Sequence, residues 1–388
     1  MAININELLK IALTKKASDL HVKVGSHPVV RLDGQLMPLE DHPKISQEDA
    51  INLTFSIMNQ GQKEKFKQRN EVDMAYSAPG LGRFRLNVFQ QRGTIGLVFR
   101  VVPTRILTFE ELFLPPVMEK IAMERRGLVL VTGTTGSGKS TTLAAIIDFI
   151  NRSRRDNIIT IEDPIEFLHR DRKSLVSQRE IGTDTESFSV ALRSALRQDP
   201  DVVLVGEMRD FETVSTALVA AETGHLVLST LHTLDATETI NRIISIFPPY
   251  QQKQVRLQLA AVIKSIISQR LVPRSDGSGR VPALEILIAT QTIRECIVDP
   301  EKTRKITDAI AAGNSQYAMQ TFDQSLFDLY QKNLVTYEEA LQWCTNPDDF
   351  TLKVKGIQST SDVTWAGQEG KKEGAGEAAP FKIERFGK

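Results

Sequence analysis

The stretch Leu128-Val-Leu-Val-Thr-Gly133-Thr-Thr-Gly-Ser-Gly-Lys139-Ser140 decides the fold. Five apolar or β-branched residues run straight into a G-x-x-x-x-G-K-S pattern, and the helical run Thr141–Ile150 follows. A strand, a glycine-rich loop and a helix in that order form the context a phosphate-binding loop requires. The glycines let successive backbone N–H groups turn toward phosphate oxygens, and the helix N-terminus adds partial positive charge. In this reading Gly133, Thr134, Thr135, Gly136, Ser137, Gly138, Lys139, Ser140 and Thr141 hold a nucleotide. Lys139 reaches the β- and γ-phosphates and the Ser140 hydroxyl ligates Mg²⁺, so ATP and Mg²⁺ are the expected cofactors.

Outward from this loop the same rhythm repeats. Asn157–Ile161, Val202–Val205 and Leu226–Thr230 are short apolar runs that end at glycine or polar residues and precede helical stretches. Runs of this kind suit a parallel sheet buried on both faces. Asp210 is a good N-cap for a helix ending at Gly224, and Asp235 with Glu238 opens another that stops at Pro248-Pro249. Arg274–Arg280 faintly echoes a phosphate loop but has neither the Lys nor a following helix, and reads as a turn between strands.

A phosphate loop needs an acidic partner from a neighbouring strand. Asp201-Val-Val-Leu-Val-Gly206-Glu207 delivers Glu207 at a strand end, where ligands bind in open α/β sheets. Gly206 stands where an Asp is usual, so Glu207 is assigned to the metal, with Ser140, or to the attacking water; a surface glutamate is the plain alternative. A second acidic set, Glu162, Asp163 and Glu166, ends the strand Asn157–Ile161, with Pro164 disfavouring helix at Asp163. Glu166 is the first choice for a water-positioning group, and a structural N-cap role for the cluster is the alternative. His225 and His232 flank Leu226–Leu231 as a poor zinc pattern. At the strand end the His232 imidazole could hydrogen-bond the γ-phosphate, a reading that the surrounding motif favours over the plain alternative of a lone core histidine.

Residues 1 to about 105 differ in pattern. Asp19–Val24 and Pro28–Leu32 are strand-like, Asp33-Gly34 is a hairpin signal, and Ser46 with Glu48 and Asp49 starts a helix close to a capping box. Arg83–Gln90 and Thr94–Val102 read as an antiparallel hairpin around Gly93. Period two puts Arg83, Arg85 and Asn87 on one face and Phe84, Leu86 and Val88 on the other, with Arg100 on the partner strand. The plain reading is a solvated face. The sharper one is that these arginines stabilise charge on the γ-phosphate, a role worth ~10³–10⁵ in rate. The spacing leaves open which Arg acts and whether it acts on its own chain or a neighbour.

Pro103 and Pro115-Pro116 bracket a linker over 106–124, the ATPase core covers 125–290, and 291–350 is helical, with Leu326, Leu329, Tyr330 and Leu334 in helical spacing. From about Thr351 to Lys388 the chain is rich in Gly, Lys, Glu, Ser and Ala and is expected to be a disordered tail.

Composition bounds the rest. The 388 residues carry 48 Lys+Arg against 48 Asp+Glu, so no net basic excess marks a nucleic-acid footprint, and no stable nucleic-acid partner is expected. Cys296 and Cys344 are the only cysteines, too few for a four-thiolate zinc site and in keeping with a reducing compartment. No apolar run reaches the ~18 residues a membrane span needs, and Met1–Leu13 reads as an amphipathic helix without a cleavage site.

Together the motifs resemble the secretion ATPase superfamily, and more closely the type IV pilus twitching-motility (retraction) ATPases of the PilT/PilU group. The resemblance covers about residues 1–350. It rests on Ile161-Glu-Asp-Pro-Ile-Glu166 (Asp box), Asp199-Pro-Asp-Val-Val-Leu-Val-Gly-Glu207 (atypical Walker B), Thr223-Gly-His225 through His232 (His box) and Gly82-Arg-Phe-Arg-Leu-Asn87. Ala17-Ser-Asp-Leu-His21 and Met319-Gln-Thr-Phe-Asp-Gln324 also look like family segments. The resemblance implies an α/β chain with a PAS-like N-terminal domain and a RecA-like P-loop ATPase domain carrying C-terminal helices. It implies a homo-hexameric ring with ATP between the domains, catalytic roles for Glu166 and Glu207, phosphate contact by His232, and N-terminal-domain arginines in the site. It further implies a cytoplasmic protein recruited to an inner-membrane pilus platform protein, powering pilin depolymerisation.

Extension and type II secretion ATPases usually carry a tetracysteine zinc motif and an additional N-terminal domain; two scattered cysteines and a PAS-like part starting near Met1 favour the retraction type. Many retraction ATPases have an Ala-Ile-Arg-Asn-Leu-Ile-Arg-Glu segment, whereas here the stretch reads Thr292-Ile-Arg-Glu-Cys-Ile-Val-Asp299. That departure raises the alternative of an accessory paralogue beside a main retraction ATPase. A related secretion or DNA-transfer ATPase is the other alternative.

Overall fold

Two sheets organise the molecule, a computed structural model that describes residues 3–32, 34–103 and 105–357. The first is built from α1 (Ile5–Thr14), β1 (Asp19–Lys23), β2 (Val29–Leu32), β3 (Gln35–Pro38), α2 (Gln47–Ile57), α3 (Gln60–Arg69), β4 (Glu71–Ala78), β5 (Gly82–Gln91) and β6 (Thr94–Val101). Its strands run in the order β3-β2-β1-β6-β5-β4, each antiparallel to its neighbours. Along β5 the expected alternation holds: Phe84, Leu86 and Val88 are fully buried, joined by Leu97, Phe99 and Leu20 and by Leu8 and Leu9 of α1. Arg83, Arg85 and Asn87 take the opposite face. α2 starts at Ser46 with a complete capping box to Asp49. The register Leu32↔Gln35 closes the β2–β3 hairpin; Asp33 of its expected turn lies outside the described residues.

After α4 (Val117–Ala122) come β7 (Gly127–Thr132), α5 (Lys139–Ser153), β8 (Asn157–Glu162), β9 (Leu175–Glu180), α6 (Phe188–Ala195), β10 (Val202–Val205), α7 (Phe211–Glu222) and β11 (Leu226–Leu231). They are followed by α8 (Ala236–Ser245), α9 (Pro249–Val262), β12 (Ile263–Pro273) and β13 (Arg280–Ile288). The seven-stranded order is β13-β12-β7-β11-β10-β8-β9, parallel throughout except β13. Every residue of β7, β10 and β11 is buried, because helices cover both faces: α6 to α9 on one side, α4 and α5 on the other. The segment 274–279 is the turn between β12 and β13. The chain is therefore the α/β protein the sequence implies, a PAS-like antiparallel unit followed by a RecA-like parallel one.

The helices α10 (Gln291–Val298), α11 (Ile306–Ala312), α12 (Asn314–Tyr317), α13 (Phe322–Gln331), α14 (Tyr337–Trp343) and α15 (Pro347–Val354) complete the described chain. α13 to α15 pack on β12 and β13 through Val272, Val281, Leu326 and Phe350. Three expectations shift here. The stretch 106–124, expected as a linker, carries α4 and buries Phe109, Leu114 and Met118 beside α5, so its prolines bracket packed chain. Leu334 lies beyond the end of α13, although it packs in the same cluster. Of the tail expected from Thr351, residues up to Val354 are helical in α15; residues 358–388 lie outside the described residues.

Candidate active site

The loops that follow β7, β11, β10, β8 and β9 share one edge of the sheet, because those strands are parallel and adjacent. That edge presents the phosphate loop, His232, Glu207, the acidic set and Glu180 in spatial order, one strand spacing of ~4.8 Å at a time. Sequence separations of nearly a hundred residues, Gly133 to His232, become proximity only through this strand order.

Gly133, Gly136 and Gly138 hold φ of +140°, +80° and +90°, values that side-chain-bearing residues rarely adopt. α5 begins at Gly138 with no side-chain cap, so its first N–H groups are free for a ligand. Lys139 is 8% exposed, and its Nζ donates to the carbonyl oxygens of Gly133 at 2.8 Å and Thr134 at 2.9 Å. Burial lowers its pKa, and the nearby Glu207 carboxylate works against that shift. The Ser137 hydroxyl is buried with no hydrogen-bond partner. Thr134, Thr135, Gly136 and Ser140 are exposed and Thr141 half-buried. A cradle of uncapped amides, a buried ammonium and an orphan hydroxyl has the chemistry of a phosphate site. Among the described residues no group of three or more His, Cys, Asp or Glu side chains could hold a metal alone. A cation at Ser140 and Glu207 would therefore share its coordination with ligand phosphates, as Mg²⁺ commonly does.

Glu207 and His232 meet. The His232 Nε2 lies 3.3 Å from Glu207 Oε1, and Arg209 Nε donates to the same oxygen. Two hydroxyls fix these strand ends: Ser229 donates to the Val205 carbonyl and Thr230 to the Gly206 carbonyl, each at 2.6 Å. His225 sits at the other end of β11, with its Nδ1 2.9 Å from the Ala220 carbonyl, so the two histidines share no site.

The acidic set is divided by burial. The Glu162 carboxylate is enclosed and accepts from Thr160 at 2.6 Å and Gln178 at 3.0 Å; burial, the dominant cause, raises its pKa. Asp163 precedes a cis Pro164. Glu166 is half exposed, with its Oε1 4.0 Å from Arg85 Nη1. Arg83 makes the stronger interdomain contact, 3.0 Å from Glu180, a carboxylate that is only 6% exposed and also accepts from Ile165 N. Lys65, Asp73, Arg83, Arg85, Asp163 and Glu180 line a cleft of about 240 Å³ between the two sheets.

The structure thus brings Lys139, Glu207 and His232 together, and brings Arg83 and Arg85 to the acidic edge three and four strands away. Arg100 is held elsewhere. It shares the sheet face of Arg85, its register partner, but its Nε donates to Asp19 at 2.8 Å within the first sheet. Sequence reasoning misses Glu180, because β9 has no apolar run, and Arg209, because a lone Arg carries no signal. It also misses Gln269, a buried amide on β12 that accepts from Thr142 Oγ1 at 2.8 Å.

Comparisons with known proteins show the family and the fold. The model of the type II/IV secretion system protein family matches residues 1–342. The type IV pilus retractation ATPase PilT of Pseudomonas aeruginosa is 46% identical over 348 residues, which cover 90% of this chain and 100% of that protein. The type IV pilus ATPase PilU of Pseudomonas aeruginosa is 40% identical over 361 residues, covering 93% of this chain and 94% of the other. The crystal structure of the pilus retraction motor PilT with bound ADP superposes with a TM-score of 0.82 at 46% identity, covering 89% of this chain and 98% of that one. Among the described residues no helix is long and apolar enough to cross a membrane.

Proposed function

The chain belongs to the type II/IV secretion system protein family, and from that premise we propose that it is a P-loop ATPase motor that powers type IV pilus retraction and twitching motility. The observation that carries the chemistry is the phosphate loop, with its uncapped amides and buried Lys139 beside Glu207. The likeness to PilT over 90% of the chain supports the direction of the motion.

ATP is the substrate. Gly133 to Thr141 hold its phosphates, and Lys139 exchanges its bonds to the loop carbonyls for phosphate oxygens. Ser140 and Glu207 hold Mg²⁺, which when bound neutralises phosphate charge. Glu166 or Glu207 orients the attacking water, Glu162 and Asp163 line the edge, and His232 reports the γ-phosphate through its contact with Glu207. Arg83 and Arg85 leave Glu180 and Glu166 for the charge that develops on the transferred group. Arg100 requires release from Asp19 to join them. Force follows from differential affinity: ATP binds the closed arrangement of the two domains more tightly than the open one.

The domains of this reading are 1–105 and 125–290, with 291–350 as an extension. They assemble as a homo-hexameric ring in the cytoplasm, recruited to the inner-membrane platform protein of a pilus, with membrane association only through partners. An accessory role beside a paralogous retraction ATPase is the second reading, favoured by the likeness to PilU. Of the positions that depart from many retraction ATPases, Thr292, Glu295 and Val298 face outward and Cys296 is buried, so most of the departures alter a surface.

Mg²⁺-dependent ATP hydrolysis by the purified full chain tests the proposal. Lys139→Ala and Glu207→Gln are each expected to lower turnover at least ~10²-fold. Turnover absent in the wild type, alone and with the paralogue, or unchanged in both variants, would contradict it.

A further inference from the structure

The phosphate loop is shaped by a residue outside its motif. Ser268 of β12 pairs with Thr132 of β7, so the next residue, Gln269, lies beside Gly133 where β7 runs out into the loop. Gln269 is 3% exposed. Its Oε1 accepts from the hydroxyl of Thr142, in the first turn of α5, at 2.8 Å. A Cβ on residue 138 would lie 2.7 Å from Gln269 Nε2, and one on residue 133 would lie 2.4 Å from the Gln269 carbonyl oxygen. Two glycines of the motif therefore answer to two constraints at once, a left-handed φ and the space that Gln269 fills. The carboxamide Nε2 lies against Gly138, where it sets a donor beside the turn of the loop.

We propose that Gln269 is a positioning residue of the phosphate loop. Its oxygen pins the first turn of α5 through Thr142, and its NH₂ backs the left-handed turn at Gly138, so the loop amides are held open before a nucleotide arrives. The inference rests on reading residues 133–140 as a phosphate site, and it adds a residue to that site.

The test uses the full chain in two measurements. In the nucleotide-free protein, amide hydrogen exchange over 133–141 is expected to quicken roughly tenfold in Gln269→Ala, the effect of losing one buried hydrogen bond. In titrations with a fluorescent ATP analogue, Gln269→Ala is expected to bind about tenfold more weakly. Gln269→Glu keeps the acceptor for Thr142 but sets a carboxylate beside the loop. It is expected to bind more weakly still at about pH 8 and to recover toward about pH 5 as the carboxyl takes a proton, a profile that Gln269→Ala does not share. Because Gln269→Glu is nearly isosteric, it carries the test if Gln269→Ala fails to fold.

Unchanged exchange and affinity in Gln269→Ala, or Gln269→Glu binding as tightly as the wild type at about pH 8, would overturn the inference. A wild type that binds no nucleotide would refute the functional reading instead, and the exchange measurement would still decide the role of Gln269.

Discussion

A side chain at residue 206 would crowd the neighbouring strand end. A Cβ there would lie 3.1 Å from the Ile161 carbonyl oxygen and 3.4 Å from Glu162 Cα. This contact explains why Gly206 stands where a strand-end Asp is usual and why Glu207, one residue on, supplies the carboxylate. Gly206→Ala is expected to cost about 1–3 kcal/mol through overpacking, read as a lower urea midpoint at unchanged slope. Glu285 of β13 is a second informative residue. Its Oε1 accepts from Ala236 N at 2.7 Å, and burial pushes its carboxyl up from 4.5 to about 7, with Asp235 adding to the shift and Arg270 opposing it. The folded chain holds this proton more tightly than the unfolded one, so the stability it contributes is full below 4.5 and is lost as pH rises through about 7. Glu285→Gln removes that loss. The variant is expected to be more stable than wild type at about pH 8 by up to about 3 kcal/mol, with the difference shrinking toward about pH 5, measured by urea unfolding. An unchanged pH slope would refute the assignment.

Among the elements, four parallel strands are legible as apolar runs, because burial on both faces selects β-rich residues at every position. β9 is not legible: Leu175-Val-Ser-Gln-Arg-Glu180 is an edge strand with one neighbour, and no periodic apolar face marks it. Its pairing with β8 is long-range, so Glu180 as the partner of Arg83 emerges only in three dimensions. The face of β5 is legible from period two alone, down to the separation of Arg83, Arg85 and Asn87 from Phe84, Leu86 and Val88. The phosphate loop is legible as a motif, yet the brace behind it is a single amide in an apolar strand and carries no local signal. On β12 the residue after that amide holds the C-terminal helices: the Arg270 guanidinium lies 3.8 Å over the Phe322 ring, and Nη1 donates to the Trp343 carbonyl at 2.8 Å. Arg270→Ala is expected to loosen α13 to α15 by about 2 kcal/mol, seen as faster hydrogen exchange there than in β7 or β11. Uniform acceleration across both regions would argue against a local clamp.

For the whole molecule the decisive contact is between the two sheets. Arg83 and Glu180, 18% and 6% exposed, meet across the cleft, and Arg85 stands near Glu166. A double-mutant cycle on Arg83→Ala and Glu180→Ala is expected to show a coupling of about 0.5–3 kcal/mol in unfolding, with additivity contradicting a direct pair. In the proposed mechanism this pairing would link the domains to the chemistry, the arginine leaving its carboxylate for phosphate when the domains rearrange. ATP hydrolysis by this chain is proposed to drive pilus retraction. That proposal is tested most directly by deleting the gene in its own host, complementing with wild type or Lys139→Ala, and scoring twitching and surface pili together. Deletion is expected to abolish twitching while pili are retained or increased, and wild type but not Lys139→Ala is expected to restore movement. Twitching and piliation unchanged on deletion, or movement restored equally by Lys139→Ala, would contradict it.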